Sequence, residues 1–216
     1  MSQPHSNLAL RVITALVILP VVLTLIWAPT LRPGFAVLVA FIAMTSIHEF
    51  LNLLRVRSIP THEPTAQLGA LAHVLLLHQF EPEGAGLVMF LAVTVVVTDT
   101  AAYFTGKAIG RHPLAPIVSP KKTWEGAAAG FAAAIGVCLA FQKFKLYESV
   151  TPLQAVMIGV IIGTMGQLSD LAESMVKRDV GAKDSGALLP GHGGVFDRFD
   201  SYILCAPAVY YALSFR

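Results

Sequence analysis

Between Gly84 and Phe104 the chain runs twenty-one residues, GAGLVMFLAVTVVVTDTAAYF, with one charged side chain, Asp99. A run of this length and polarity has one dominant solution. Crossing a hydrocarbon core as a helix takes about 20 mostly apolar residues, and a helix pairs its own backbone groups where water is absent. Six further segments repeat the pattern: Leu8–Ala28, Phe35–Leu54, Ala66–Phe80, Gly126–Gln142, Leu153–Leu171 and Tyr202–Phe215. The third and seventh in chain order are short, which suits tilt, re-entry or burial inside a bundle. The sixth is expected to continue beyond Leu171 as a polar helix towards Arg178. Only 13% of the 216 residues are charged, against roughly 25% in a soluble domain. The sequence therefore predicts an all-α, polytopic transmembrane helix bundle of about seven membrane segments.

The segments form one integral unit, because no long polar linker separates them. Residues 1–98 supply N-terminal membrane helices, and residues 99–216 carry the loops in which the chemistry is expected. The run Val12–Trp27 follows Arg11 as a signal peptide would, but it ends Trp-Ala-Pro with no small-x-small site. A retained first helix is the expectation. Cys138 and Cys205 each lie inside an apolar run, so they read as small packing residues, with neither a disulfide framework nor zinc spacing. A net charge of +2 without a basic, aromatic-interleaved tract argues against a nucleic-acid partner.

Three loops hold most of the charge: Arg55–Thr65, Gly106–Glu125 and Lys177–Ser201. With seven spans they share one side with the N-terminus. That side carries Arg11, Arg55, Arg57, Lys107, Arg111, Lys121, Lys122, Lys177, Arg178, Lys183 and Arg198. The other carries Arg32, Lys143, Lys145 and Arg216. The positive-inside bias places the three loops in the cytoplasm.

Acids inside greasy helices are costly and usually face a cavity or a partner. Asp99 fits either a polar pair with Thr98 or Thr100 or a cavity. Asp170 shares a helical face with Glu173 and Lys177, at i+3 and i+7. Six of the 13 acids fall between Asp170 and Asp200. Crowded carboxylates repel unless cations lie between them, and hard oxygen ligands suit Mg²⁺. A solvated loop with internal ion pairs is the plainer alternative. Gly191, Gly193 and Gly194 let backbone N–H groups approach a phosphate, or simply make a tight connection. Ser119-Pro-Lys-Lys-Thr123 precedes a helix expected to start near Glu125, and a helix N-terminus beside two lysines is an anion site. Acids for a metal, bases for phosphate and a lipid-embedded scaffold point to phosphoryl or nucleotidyl transfer at a membrane surface. The residues alone choose neither nucleotide nor lipid.

The stretch SMVKRDVGAKDSGALLPGHGGVFDRFD, from Ser174 to Asp200, resembles the signature of the phosphatidate cytidylyltransferases. SPKKTWEG from Ser119 and DTAAYFTGK from Asp99 are also similar to that family, and His48-Glu49-Phe50 shows a weaker likeness. The resemblance covers roughly Asp99 to Ser201, about half the chain. It implies an inner-membrane, multi-pass enzyme with its site facing the cytoplasm. That enzyme would join CTP and phosphatidic acid to give CDP-diacylglycerol and pyrophosphate, using Mg²⁺ and a monovalent cation such as K⁺. In the family's usual mechanism the phosphatidate phosphate attacks the α-phosphate of CTP. The resemblance makes Asp170 and Asp197 metal ligands and groups Lys183, Asp184, His192, Arg198 and Asp200 with them as the catalytic set. It assigns Ser119, Lys121, Lys122, Thr123, Lys177, Arg178, Gly193 and Gly194 to CTP or phosphatidate. The bilayer is the standing partner, and a homodimer is compatible. The family's usual chain is longer, with extra N-terminal helices. Gln167-Leu-Ser-Asp170 also has serine where the family usually has glycine before the aspartate. Two other readings stay open: a relative that uses another lipid phosphate, and a non-catalytic or transport relative.

Overall fold

The structure is a computed structural model that describes residues 4–56, 64–144, 150–188 and 193–214. Seven α-helices are found among the described residues. They are α1 (Pro4–Trp27), α2 (Arg32–Val56), α3 (Pro64–His78), α4 (Gly84–Ile109), α5 (Trp124–Lys143), α6 (Pro152–Asp179) and α7 (Phe196–Ser214). Each of the seven expected apolar segments coincides with one of these helices over most of its length. The stretches Pro29–Val56, Gly84–Ile109, Trp124–Lys143 and Pro152–Asp179 are each long and apolar enough to cross a membrane. The fold is an all-α bundle of membrane type. Leu16, Val37, Met44 and Leu153 are among the large apolar side chains on its outside, where a bilayer and not water would receive them.

The helices alternate in direction. At one end His78 Nε2 of α3 lies 2.9 Å from the carbonyl of Ile26 in α1, and Arg32 at the start of α2 pairs with Glu81 just after α3. At the other end the polar parts of α2, α4 and α6 meet the starts of α5 and α7. Between the two ends Leu77, Leu87, Leu91, Ile158, Ile162, Val209 and Leu213 form a closed apolar core.

Local sequence sets the helix starts. Thr151 accepts from Gln154 N at 3.3 Å while the Gln154 side chain accepts from Thr151 N at 2.9 Å, a reciprocal cap ahead of Pro152. Thr123 caps α5 by accepting from Gly126 N at 3.2 Å.

Two expectations change at the polar end. The segment read as a loop from Gly106 to Glu125 contains a hairpin, in which β1 (Pro113–Ala115) pairs antiparallel with β2 (Ser119–Thr123). Pro113 and Pro120 hide it from a sequence reading, yet a two-stranded ribbon has only edges, where proline is tolerated. The second change is at α7, which begins at Phe196 and not at Tyr202. Hydropathy cannot see this polar turn. Hydrogen bonding makes it possible, because the first N–H groups of a helix need partners. Phe196 N donates to Glu49 at 2.9 Å and Arg198 N to the carbonyl of Val195 at 3.0 Å.

Candidate active site

The C-terminal half of α6 turns one polar face towards the start of α7. Asp170, Glu173 and Asp200 place one carboxylate oxygen each within 4.8 Å of one another. Glu173 and Asp200 are buried, at 5% and 8% exposure. Lys122 Nζ from β2 lies 2.5 Å from Asp170 Oδ2. Lys177 Nζ, one α6 turn beyond Glu173, lies 3.1 Å from Glu173 Oε1 and 2.8 Å from Asp197 Oδ1. Glu173 Oε1 is buried and has no hydrogen-bond partner among the described residues, despite that ion-pair distance. A buried carboxylate oxygen without a hydrogen bond, within a cluster of three acids, is a donor set suited to a divalent cation.

Asp197 sits beside this cluster and faces other partners. It accepts from Ser185 N and from Gly194 N, each at 2.9 Å, as well as from Lys177. Burial works against its charge. The adjoining Glu173 carboxyl, Lys177 and the two backbone donors outweigh burial and hold Asp197 well below the usual carboxylate range. The expected metal pair was Asp170 and Asp197. The three acids grouped here are Asp170 with Glu173 and Asp200, and Asp197 ties the loop, α6 and α7 together next to them.

A cavity of about 770 Å³ opens over the acids. Lys107, Lys121, Lys122, Lys177 and Arg198 line it together with Asp99, Asp170, Asp184, Asp197 and Asp200. A smaller cavity of about 280 Å³ shares Asp99, Asp197, Arg198 and Asp200 with it and is walled by Val95, Val96 and Tyr202. The remaining expected residues take other places. Arg178 donates to the carbonyls of Val118 and Ala182, both at 3.2 Å, and so ties the hairpin to the end of α6. Ser119 lies in β2, and Thr123 is both the cap of α5 and part of the cavity wall. Lys183 is exposed outside the cavity lining. Gly193 has φ +84°, and a Cβ there would come 3.1 Å from Asp197 Oδ2. Gly194 is not among the cavity-lining residues, and a Cβ there would fall 2.1 Å from Ser185 Oγ and 2.5 Å from Glu49 Oε2. His192 lies outside the described residues.

Ser169, the departure from the usual glycine, donates from Oγ to the carbonyl of Asp200 at 2.5 Å. It therefore adds a link between α6 and α7 that glycine lacks. Sequence reasoning left Glu173, Lys107 and Glu49 out of the site. The signal for Glu173 was its i+3 spacing from Asp170. For Glu49 the signals were its place as an acid in an apolar helix and the weak family likeness of His48-Glu49-Phe50.

The structure is thus a membrane-type helix bundle with a cavity of lysines and clustered carboxylates at one polar end, a charge arrangement suited to phosphate groups. Residues 64–216 match the cytidylyltransferase family. The chain belongs to that family. It is 46% identical over 137 residues to a phosphatidate cytidylyltransferase of Brucella suis, covering 62% of this chain and 49% of that protein. The namesake in Staphylococcus epidermidis is 40% identical over 134 residues, 62% of this chain and 51% of that protein. The one in Bacillus subtilis is 37% identical over 138 residues, 64% of this chain and 51% of that protein. The matches thus span about half the length of these curated relatives.

Proposed function

We propose that the chain is a phosphatidate cytidylyltransferase that transfers CMP from CTP to phosphatidic acid, giving CDP-diacylglycerol and pyrophosphate. One observation carries the reading: a single cavity joins the Asp170, Glu173 and Asp200 carboxylates to Lys121, Lys122 and Lys177. The names of the relatives select the reaction. In that reaction an oxygen of the lipid phosphate forms a bond to the α-phosphorus of CTP. The bond from that phosphorus to the α–β bridging oxygen breaks, and pyrophosphate leaves with the oxygen. No protein nucleophile is needed.

Asp170, Glu173 and Asp200 would hold Mg²⁺, which when bound neutralises charge on the reacting phosphates. Lys121 and Lys122, ahead of the N-terminus of α5, would bind the triphosphate. Lys177, 3.1 Å from Glu173 and 2.8 Å from Asp197, supplies positive charge between the two acids. The small cavity beside Val95, Val96 and Tyr202 would take the lipid phosphate, with Arg198 at its mouth and the acyl chains outside the bundle. K⁺ is the monovalent cation of the same proposal. The site would face the cytoplasm from the inner membrane, on the side that the positive-inside bias selects.

The test follows radiolabelled CTP into lipid with detergent-purified protein, Mg²⁺ and phosphatidic acid, beside an isoprenoid phosphate as a second acceptor. Labelled CDP-diacylglycerol is expected, falling at least a hundredfold in Asp170→Asn, because charge stabilisation supplies several kcal/mol in such sites. Label entering only the isoprenoid lipid would reassign the acceptor. No label in either lipid from folded protein would overturn the enzymatic reading.

A further inference from the structure

Glu49 is the acid of α2, and α2 lies outside the residues that match the family. It is buried, at 7% exposure, and reaches across the bundle to the start of α7. Its Oε2 accepts from Ser185 Oγ at 3.0 Å and from Phe196 N at 2.9 Å. Two glycines make room for it. A Cβ on Gly186 would fall 2.3 Å from Glu49 Oε1, and one on Gly194 2.5 Å from Oε2. Next to it, Phe50 packs on Phe196 with ring centroids 5.4 Å apart.

What Glu49 grips is the frame of the acid site. Ser185 and Gly194 are the residues whose N–H groups hold Asp197. Phe196 opens the helical turn that carries Asp200. Glu49 therefore fixes both ends of the 185–196 segment without touching the cavity itself. A buried carboxylate that receives two donors is a strong, directional anchor. Removing it would leave Phe196 N and the Ser185 hydroxyl buried without an acceptor.

We propose that Glu49 is a positioning residue, which sets the start of α7 and through it the approach of Asp200 to Asp170 and Glu173. This inference rests on the cation-site reading above, and its test separates the two. Mn²⁺ binding to the 216-residue chain in detergent is measured by electron paramagnetic resonance. Amide hydrogen exchange is followed over residues 193–200, with the α5–α6 core as internal reference. Glu49→Leu is expected to weaken Mn²⁺ binding tenfold to a hundredfold, as loss of the groups that orient metal ligands does. It should also speed exchange over 193–200 and leave the α5–α6 reference unchanged. Glu49→Gln, which keeps an oxygen able to accept both bonds, should recover most of the binding. If Glu49→Leu does not fold, Ser185→Ala is read the same way, with a smaller loss expected.

Wild-type Mn²⁺ affinity together with unchanged exchange over 193–200 in Glu49→Leu would overturn the inference. A loss that Glu49→Gln does not recover at all would also count against it, because the anchor would then not be the accepting oxygen. If the wild-type protein takes up no Mn²⁺, the cation reading falls, and exchange over 193–200 alone decides whether Glu49 positions α7.

Discussion

Lys177 shows how much one side chain can carry. Its side chain is 12% exposed, and it stands between two carboxylates that are themselves 4% and 6% exposed. The ammonium there compensates the buried Asp197 carboxylate and pairs with Glu173 as well. Lys177→Met keeps most of the apolar stem and removes only the charge. It is expected to cost about 3–5 kcal/mol, the usual penalty for stranding a buried charge, read as a lower thermal unfolding midpoint in detergent. Mg²⁺ should restore part of that loss in the variant, since a cation among the acids does the same work. An unchanged midpoint would show that Glu173 and Asp197 do not depend on Lys177. At this scale the sequence is legible where chemistry is local. Crowded acids and paired lysines marked Asp170, Asp200, Lys122 and Lys177. The sequence does not show which oxygens face each other. Spacing puts Glu173 on the face of Asp170 but cannot say that its Oε1 lacks a hydrogen bond. The weak likeness at His48-Glu49-Phe50 marks Glu49, but its grip on the start of α7 is legible only once α2 and α7 are packed together.

Helix against helix, the site depends on close approach. A Cβ on Gly126 would lie 2.6 Å from the carbonyl of Ala102, and one on Gly130 3.0 Å from the carbonyl of Thr98, so α5 presses its backbone on α4. On its other side, Cβ atoms on Gly159 and Gly163 of α6 would meet Ile135 Cα at 2.6 Å and Phe131 at 3.0 Å. Each pair is spaced by four residues, which allows helix backbones to approach in a membrane where apolar burial gives no preference. Gly159→Ala is therefore expected to destabilise the bundle by about 1–3 kcal/mol through overpacking. Gly136→Ala, where a Cβ would meet nothing within 4 Å, should be neutral or stabilising, because alanine is the better helix former. Thermal unfolding of the two variants side by side checks the contrast, and equal effects would contradict the packing argument. The helices themselves were readable from hydropathy because lipid demands long apolar runs. The start of α7 and the hairpin were not, because distant hydrogen bonds and paired edges decide them. Neither leaves a hydropathy signal.

At the scale of the molecule, alternation of the seven described helices puts the acids, the cavity lysines and the hairpin at one end and the Arg32–Glu81 pair at the other. The asymmetry of Lys and Arg along the sequence then predicts how the bundle should sit in a bilayer. Orientation can be read by cysteine labelling, and the chain suits the method because Cys138 and Cys205 are both buried. Lys183 is exposed at the site end, and Thr30 is exposed beside the opposite end. In intact cells a membrane-impermeant maleimide should label Thr30→Cys and spare Lys183→Cys. In inside-out membrane vesicles the pattern should invert. Both variants leave the acid cluster intact, since neither residue lines the cavity. Labelling of Lys183→Cys in intact cells would place the site outside the cytoplasm. CTP is made inside the cell, so that result would remove the proposed nucleotide from reach and sink the reaction with the orientation. The expected pattern would put the lysines where a soluble triphosphate arrives from water. It would also put the wall formed by Val95, Val96 and Tyr202 where a lipid phosphate arrives from the bilayer.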